Sequence, residues 1–302
     1  MGPSRNGNLS STGEYKHRKM AEMLDKLTVN KDFESGIAPY SLSGDISYEA
    51  VIRLSNHVKR ELLNDYYGEV CSIRCCKKIN EWGGVLVPVI WHKHLNLEGS
   101  VHVYKARSKK SWVYLNMELS EHEFLFLALR ELGRLLTVSA VEKEKSEWVS
   151  RLFATNILLN EKDAFYHYHE LMPFKGKLNK YEQVNYIMRI AKELRIFPLA
   201  ILWRLNEYAL HFNCAPLEIE ELLVTRLEEF DSCSIKQTAD FFEHVAVDDE
   251  PIRKHHYESV LKWLDSDFMK IFNESSVSMN EFESAVFGGD LTQMRCGVFD
   301  IQ

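Results

Sequence analysis

Between about residues 48 and 65, Val51, Leu54, Val58 and Leu62 recur at three- and four-residue intervals. That spacing places apolar side chains on one face of a helix. Asp45 or Ser47 stands where such a helix needs its N-terminal cap. From 69 to 117 the pattern changes. EVCSIRC, GVLVPVIW, SVHVYKA and SWVYLNM are short runs rich in Val, Ile, Tyr and Trp, broken by Gly83-Gly84, Gly99-Ser100 and Lys109-Lys110. They predict a small antiparallel sheet. From 120 onward the period is helical again, with predicted helices at about 120–137, 143–159, 161–172, 180–195, 198–212, 216–230, 234–245, 252–273 and 278–286. The order of elements predicts an α+β domain over 46–211 followed by an all-helical extension over 212–302. Residues 1–45 read as a flexible N-terminal segment holding a short amphipathic helix at about 15–27.

The run SEHEFLFLALRELGRLL, Ser120 to Leu136, stands apart from the other predicted helices. Ser120 with Glu123 forms a capping box that marks its start. The residues that follow are apolar on nearly every side, as expected of a helix enclosed within its domain. Into this run fall Arg130, Glu131 and Arg134. The two arginines are four residues apart and share a face, with Glu131 at its border. Burying these charges unpaired would cost on the order of several kcal/mol, so partners or a water-filled cleft are expected.

Arg130-Glu131-Leu132-Gly133-Arg134 occupies the frame of a zinc-peptidase helix, which reads His-Glu-x-x-His. There, two histidines one turn apart aim at one zinc ion and the glutamate serves as general base. Arginine stays protonated and offers no lone pair, so it cannot act as a ligand. The base position is kept and both ligand positions are lost.

Around this helix, residues ~48 to ~210 resemble the ImmA/IrrE family of zincin-like metallopeptidases, whose strand ending in Val-Asn leads to a helix carrying A-H-E-L-G-H-L-L. Here Trp112-Val113-Tyr114-Leu115-Asn116 precedes Leu129-Arg130-Glu131-Leu132-Gly133-Arg134-Leu135-Leu136. The stretch Glu147 to Leu158, EWVSRLFATNIL, is similar to the family's E-x-x-A-N-x-F-A-x-x-L-L helix. Ile190 to Pro198 and Leu202-Trp203-Arg204-Leu205 resemble two later family segments. The usual proline after the L-L-M run is replaced by Asn160.

The resemblance implies a zincin-like domain in which Glu147 sits at the third zinc-ligand position and Glu131 is the vestigial general base. With Arg130 and Arg134 these form a pseudo-active site, expected to hold no metal and no cofactor. Without a cation, Glu147 and Glu131 would face each other, so Arg130 or Arg134 is expected to pair with Glu147, with Glu131 joining. The family often carries an N-terminal helix-turn-helix. The ~45 residues before the domain show no clear pair of capped helices.

Composition narrows the function classes. The chain of 302 residues is 45% hydrophobic and 27% charged, with a formal net charge of -7, which does not suggest broad binding to nucleic acid or anionic membrane. No apolar run reaches the ~20 residues of a membrane span, and MGPSRNGNLSSTGEYKHRK lacks the apolar core of a secretory signal. Six cysteines, Cys71, Cys75, Cys76, Cys214, Cys233 and Cys296, fit no zinc-ribbon spacing and read as reduced thiols of a cytoplasmic protein.

Neither G-x-S-x-G nor a phosphate-cradling loop occurs. His122 stands eight positions before Arg130, about 12 Å along the helix, and is a poor substitute ligand. His167 and His169, His92 and His94, and His255-His256 are candidate ligands whose ordinary reading is surface or capping histidine. Cys75-Cys76 beside Arg74, Lys77 and Lys78 could have lowered thiol pKa values, with incidental cysteines as the plainer reading. Neither RCCKK nor the basic segment Lys16 to Lys19 makes a strong case for direct nucleic-acid binding.

The resemblance therefore implies a catalytically inactive relative that binds another protein, such as a helix-turn-helix regulator of a mobile element or stress or defence system. The alternative is an active hydrolase or metallopeptidase with another ligand set, or a toxin-like enzyme on the same cleft. Phe241-Phe242, Trp263 and Phe268-Met269 in the extension read as internal packing, and homo-oligomerisation stays open.

Overall fold

The computed structural model describes residues 46–63, 70–89, 99–105, 110–116, 119–136, 143–172, 180–218 and 227. They are mostly helical. Helices α1 (Tyr48–Leu62) and α2 (Ser72–Glu81) precede strands β1 (Gly84–Val89), β2 (Ser100–Lys105) and β3 (Lys110–Asn116). Helices α3 (Glu121–Leu135), α4 (Lys143–Leu158), α5 (Glu161–Leu171), α6 (Lys180–Leu194) and α7 (Pro198–His211) follow. No described helix is long and apolar enough to cross a membrane.

Ser47, one of the two expected caps, accepts the Ala50 N–H at 3.3 Å, and Val51, Val58 and Leu62 of the predicted stripe are buried, whereas its fourth member, Leu54, is only half-buried. Within EVCSIRC, Ser72 to Cys75 are corrected from strand to the start of α2, while Val70 makes an isolated antiparallel bridge with Leu63. Ser72, Cys75, Cys76, Ile79 and Trp82 are buried. Their three- and four-residue spacing is the helical signal that the β-like composition obscured.

The expected antiparallel sheet is corrected to a mixed one of order β1-β3-β2. β2 pairs antiparallel with β3 from Ser100↔Leu115 to Lys105↔Lys110. β1 pairs parallel with β3 from Gly84↔Ser111 to Val89↔Asn116. Two reversals of direction leave β1 and β3 running the same way, and β3 lies between the other two strands. Pro88, which has no N–H to donate, falls on the edge strand β1. On the central strand Trp112, Val113, Tyr114 and Leu115 are all buried, so the alternation expected of a one-sided sheet is absent.

Two compact units divide the chain, one taking in the strands and the other α1, α3 to α7 and nearly all of α2. Within the helical unit, α4 is central and packs against α1, α3 and α7, while α7 also packs against α5 and α6. Val149, Leu152, Phe153, Ala154 and Ile157 of α4 are buried, together with Ser150, Thr155 and Asn156.

The helix predicted from about 216 is corrected at its start, since 216–218 are not helical. There the Asn206 side chain takes the Leu217 N–H at 2.7 Å and donates to the Leu217 carbonyl at 3.3 Å, engaging the backbone groups a helix would use. The N-terminal helix at about 15–27, the helices predicted from 234 onward, His92, His94, His255, His256, Cys233, Cys296 and the aromatic residues of the extension lie outside the described residues.

Candidate functional site: the arginine–glutamate cluster of α3 and α4

Ser120 caps α3 by accepting the Glu123 N–H at 3.2 Å, fixing where the helix starts. Ten residues on, Arg130 and Arg134 stand one turn apart with Glu131 between them. Gly133 lies where α3 meets α4. A Cβ there would sit 3.0 Å from the Ser150 Cα and 3.0 Å from Phe153 Cδ1, so a side chain would force the helices apart. The glycine permits an approach close enough for Glu147 of α4 to reach α3.

All four residues of the predicted site come together. Arg134 is the bridge: its Nη1 donates to Glu131 Oε1 at 2.9 Å and its Nη2 makes a short contact with Glu147 Oε2. Arg130 lies 3.7 Å from Glu131 Oε1 and 3.7 Å from Glu147 Oε1. The Glu131 side chain is 0% exposed, those of Arg130 and Arg134 are 14% and 16% exposed, and that of Glu147 is 44% exposed. The cluster thus runs from a buried carboxylate through two guanidiniums to a carboxylate facing solvent.

Burial is the largest influence on Glu147 and pushes its pKa up. Attraction to Arg134 and Arg130 and the hydrogen bond from Arg134 together outweigh it, despite repulsion from Glu131, and hold the carboxyl below its ordinary 4.5.

This donor set does not fit the zinc ion held by the enzymes whose motif the sequence resembles. Guanidinium groups stand where the two imidazoles would be, and the Glu147 oxygens face positive charge already. Among the described residues no three His, Cys, Asp or Glu side chains are placed to hold a metal ion together. The arrangement can orient carboxylates, hold a fixed charge pattern and present an acceptor oxygen at its rim.

The other candidates have local roles. His122 opens α3, and burial, the strongest influence on it, lowers its pKa. On α5, His167 Nδ1 lies 3.2 Å from the Tyr186 hydroxyl, and the His169 ring centroid is 4.4 Å from that of Phe165. Burial also lowers the His167 pKa. Cys75 and Cys76 are wholly buried, and burial pushes both thiols up, the reverse of activation by nearby cations.

Two polar networks were not legible beforehand. Arg204 of α7 is fully buried, donating to Leu159 O at 3.1 Å, the Tyr48 hydroxyl at 2.9 Å and Asn156 Oδ1 at 3.0 Å. Asn156 passes the chain on, donating to Ser55 Oγ at 2.7 Å and Asn56 Oδ1 at 3.1 Å. In the second network Glu207 of α7 accepts from Trp148 Nε1 at 2.9 Å and Arg151 Nη2 at 2.6 Å, both on α4. Asn156 and Arg204 lie inside the segments that carry the resemblance, but nothing in the sequence named their partners.

No protein-family model, curated protein or solved structure matches the chain.

Proposed function

We propose that this chain is a degenerate ImmA/IrrE-like protein whose former peptidase cleft binds a protein partner without cutting it. The reading places its work in the cytoplasm, on a helix-turn-helix regulator of a mobile element or of a stress or defence response. The observation that carries it is the bridge made by Arg134, which engages one carboxylate from each of the two helices on which a zincin builds its metal site. A guanidinium in that position supplies positive charge without Lewis acidity or a bound water to activate. Glu131, the base position, is enclosed and bonded to Arg134, so it is not presented to a substrate.

Affinity capture from the native source, with wild-type protein and a Glu147→Ala variant, tests the reading. A DNA-binding regulator recovered intact by the wild type and depleted with the variant is the expected result. Recovery of no protein partner contradicts it. So does a partner cleaved in a manner lost in Glu131→Gln and on chelation, which identifies the chain as a peptidase.

A further inference from the structure

Helix α4 carries Glu147, Trp148 and Arg151 within little more than one turn. Glu147 and Arg151 are four residues apart with the acid first, the order that most favours an ion pair along a helix. That pair is not the one formed. Arg151 Nη2 goes instead to Glu207 Oε1 at 2.6 Å, a carboxylate 56 positions later. The other Glu207 oxygen accepts from Trp148 Nε1 at 2.9 Å, so both of its acceptors are held by α4. The Glu207 side chain is 9% exposed and that of Arg151 34%. Arg151 Nε is buried without a protein acceptor, so the guanidinium has donor capacity left over.

The geometry points to Glu207 as a positioning residue for the cluster: it draws Arg151 away from Glu147 and leaves Glu147 to the two arginines of α3. Those arginines then hold the carboxylate of Glu147, whose side chain is 44% exposed and can accept a further donor group from a bound partner. The partner clause rests on the function proposed above. The positioning itself does not.

The test follows the Glu147 carboxyl in full-length protein carrying 13Cδ-glutamate, its signal assigned by its loss in Glu147→Gln. Glu207→Gln keeps the shape and an acceptor for Trp148 but gives up the charge that holds Arg151. Arg151 then turns to Glu147, and the Glu147 titration midpoint moves down by about half a unit. In the double variant Glu207→Gln, Arg151→Met the midpoint returns to the wild-type value. A midpoint unmoved by Glu207→Gln overturns the proposal. An equal fall in the double variant also overturns it, because the effect is then charge removal at a distance. Partner capture has no part in this readout, so failure of the binding reading and failure of the positioning role are separately visible.

Discussion

Two guanidinium centres in the helical unit solve the problem of an enclosed charge in opposite ways. Arg204 is fully buried, and its three hydrogen bonds go to neutral acceptors on α1, on α4 and on the chain just after α4. The Tyr48 ring lies 5.7 Å from its guanidinium carbon, within range of a cation–π contact. Arg134 is paired with two carboxylates, and the outer one faces solvent. The first arrangement ties elements distant in sequence and leaves nothing for a ligand. The second keeps charge at a surface, where it can be titrated, screened or used by a partner. A buried arginine therefore does not by itself mark a site. Its acceptors decide whether it joins helices or builds a charge cluster at the surface.

The largest expected effect tests the neutral side of this contrast. Arg204→Met leaves Asn156 Oδ1, the Leu159 carbonyl and the Tyr48 hydroxyl without their donor. It should cost about 3 kcal/mol or more in unfolding by urea. Because these acceptors do not titrate in that range, the cost should be flat between about pH 5 and about pH 8. Burial, partly offset by Arg204, pushes the Tyr48 hydroxyl above its ordinary 10.0, which keeps it out of that window. A loss that varied with pH there would break the comparison.

A smaller effect tests the charged side. The folded-state pKa of Glu147 lies below 4.5, so its stabilising contribution is fully present above that value. It is lost as pH falls through the lowered midpoint. With the side chain 44% exposed, solvent screening limits the contribution to about 1 kcal/mol or less. The stability difference between wild type and Glu147→Gln should therefore be constant from neutral pH down to about 4.5 and close below it. Added salt should shrink it. A difference that persisted unchanged into acid would place Glu147 outside the ion network.

The parts of the molecule legible in the sequence were those set by local spacing. The stripe Val51, Val58, Leu62 and the caps Ser47 and Ser120 fixed helices whose signals lie within a few residues of one another. Arg130, Glu131 and Arg134 share one helix, so their proximity followed from its pitch, while Glu147 needed the resemblance to bring it near. What was missed depends on longer range. Strand direction was misread because the place of β3 between β1 and β2 is a tertiary outcome. The α2 segment was misread because its isoleucine and cysteine content looked like strand while its burial follows a helical period. The partners of Arg204 lie 45, 48 and 156 positions away, beyond any local pattern.

The central claim is that Arg130 and Arg134 take the place of a metal between Glu131 and Glu147. Zinc content after reconstitution and desalting, for wild type and for the double variant Arg130→His, Arg134→His, tests it most directly. No zinc should be retained by the wild type. Close to one ion per chain should be retained by the double variant, and lost again when Glu147→Gln is added. One equivalent of zinc on the wild-type chain, released by Glu147→Gln alone, would contradict it.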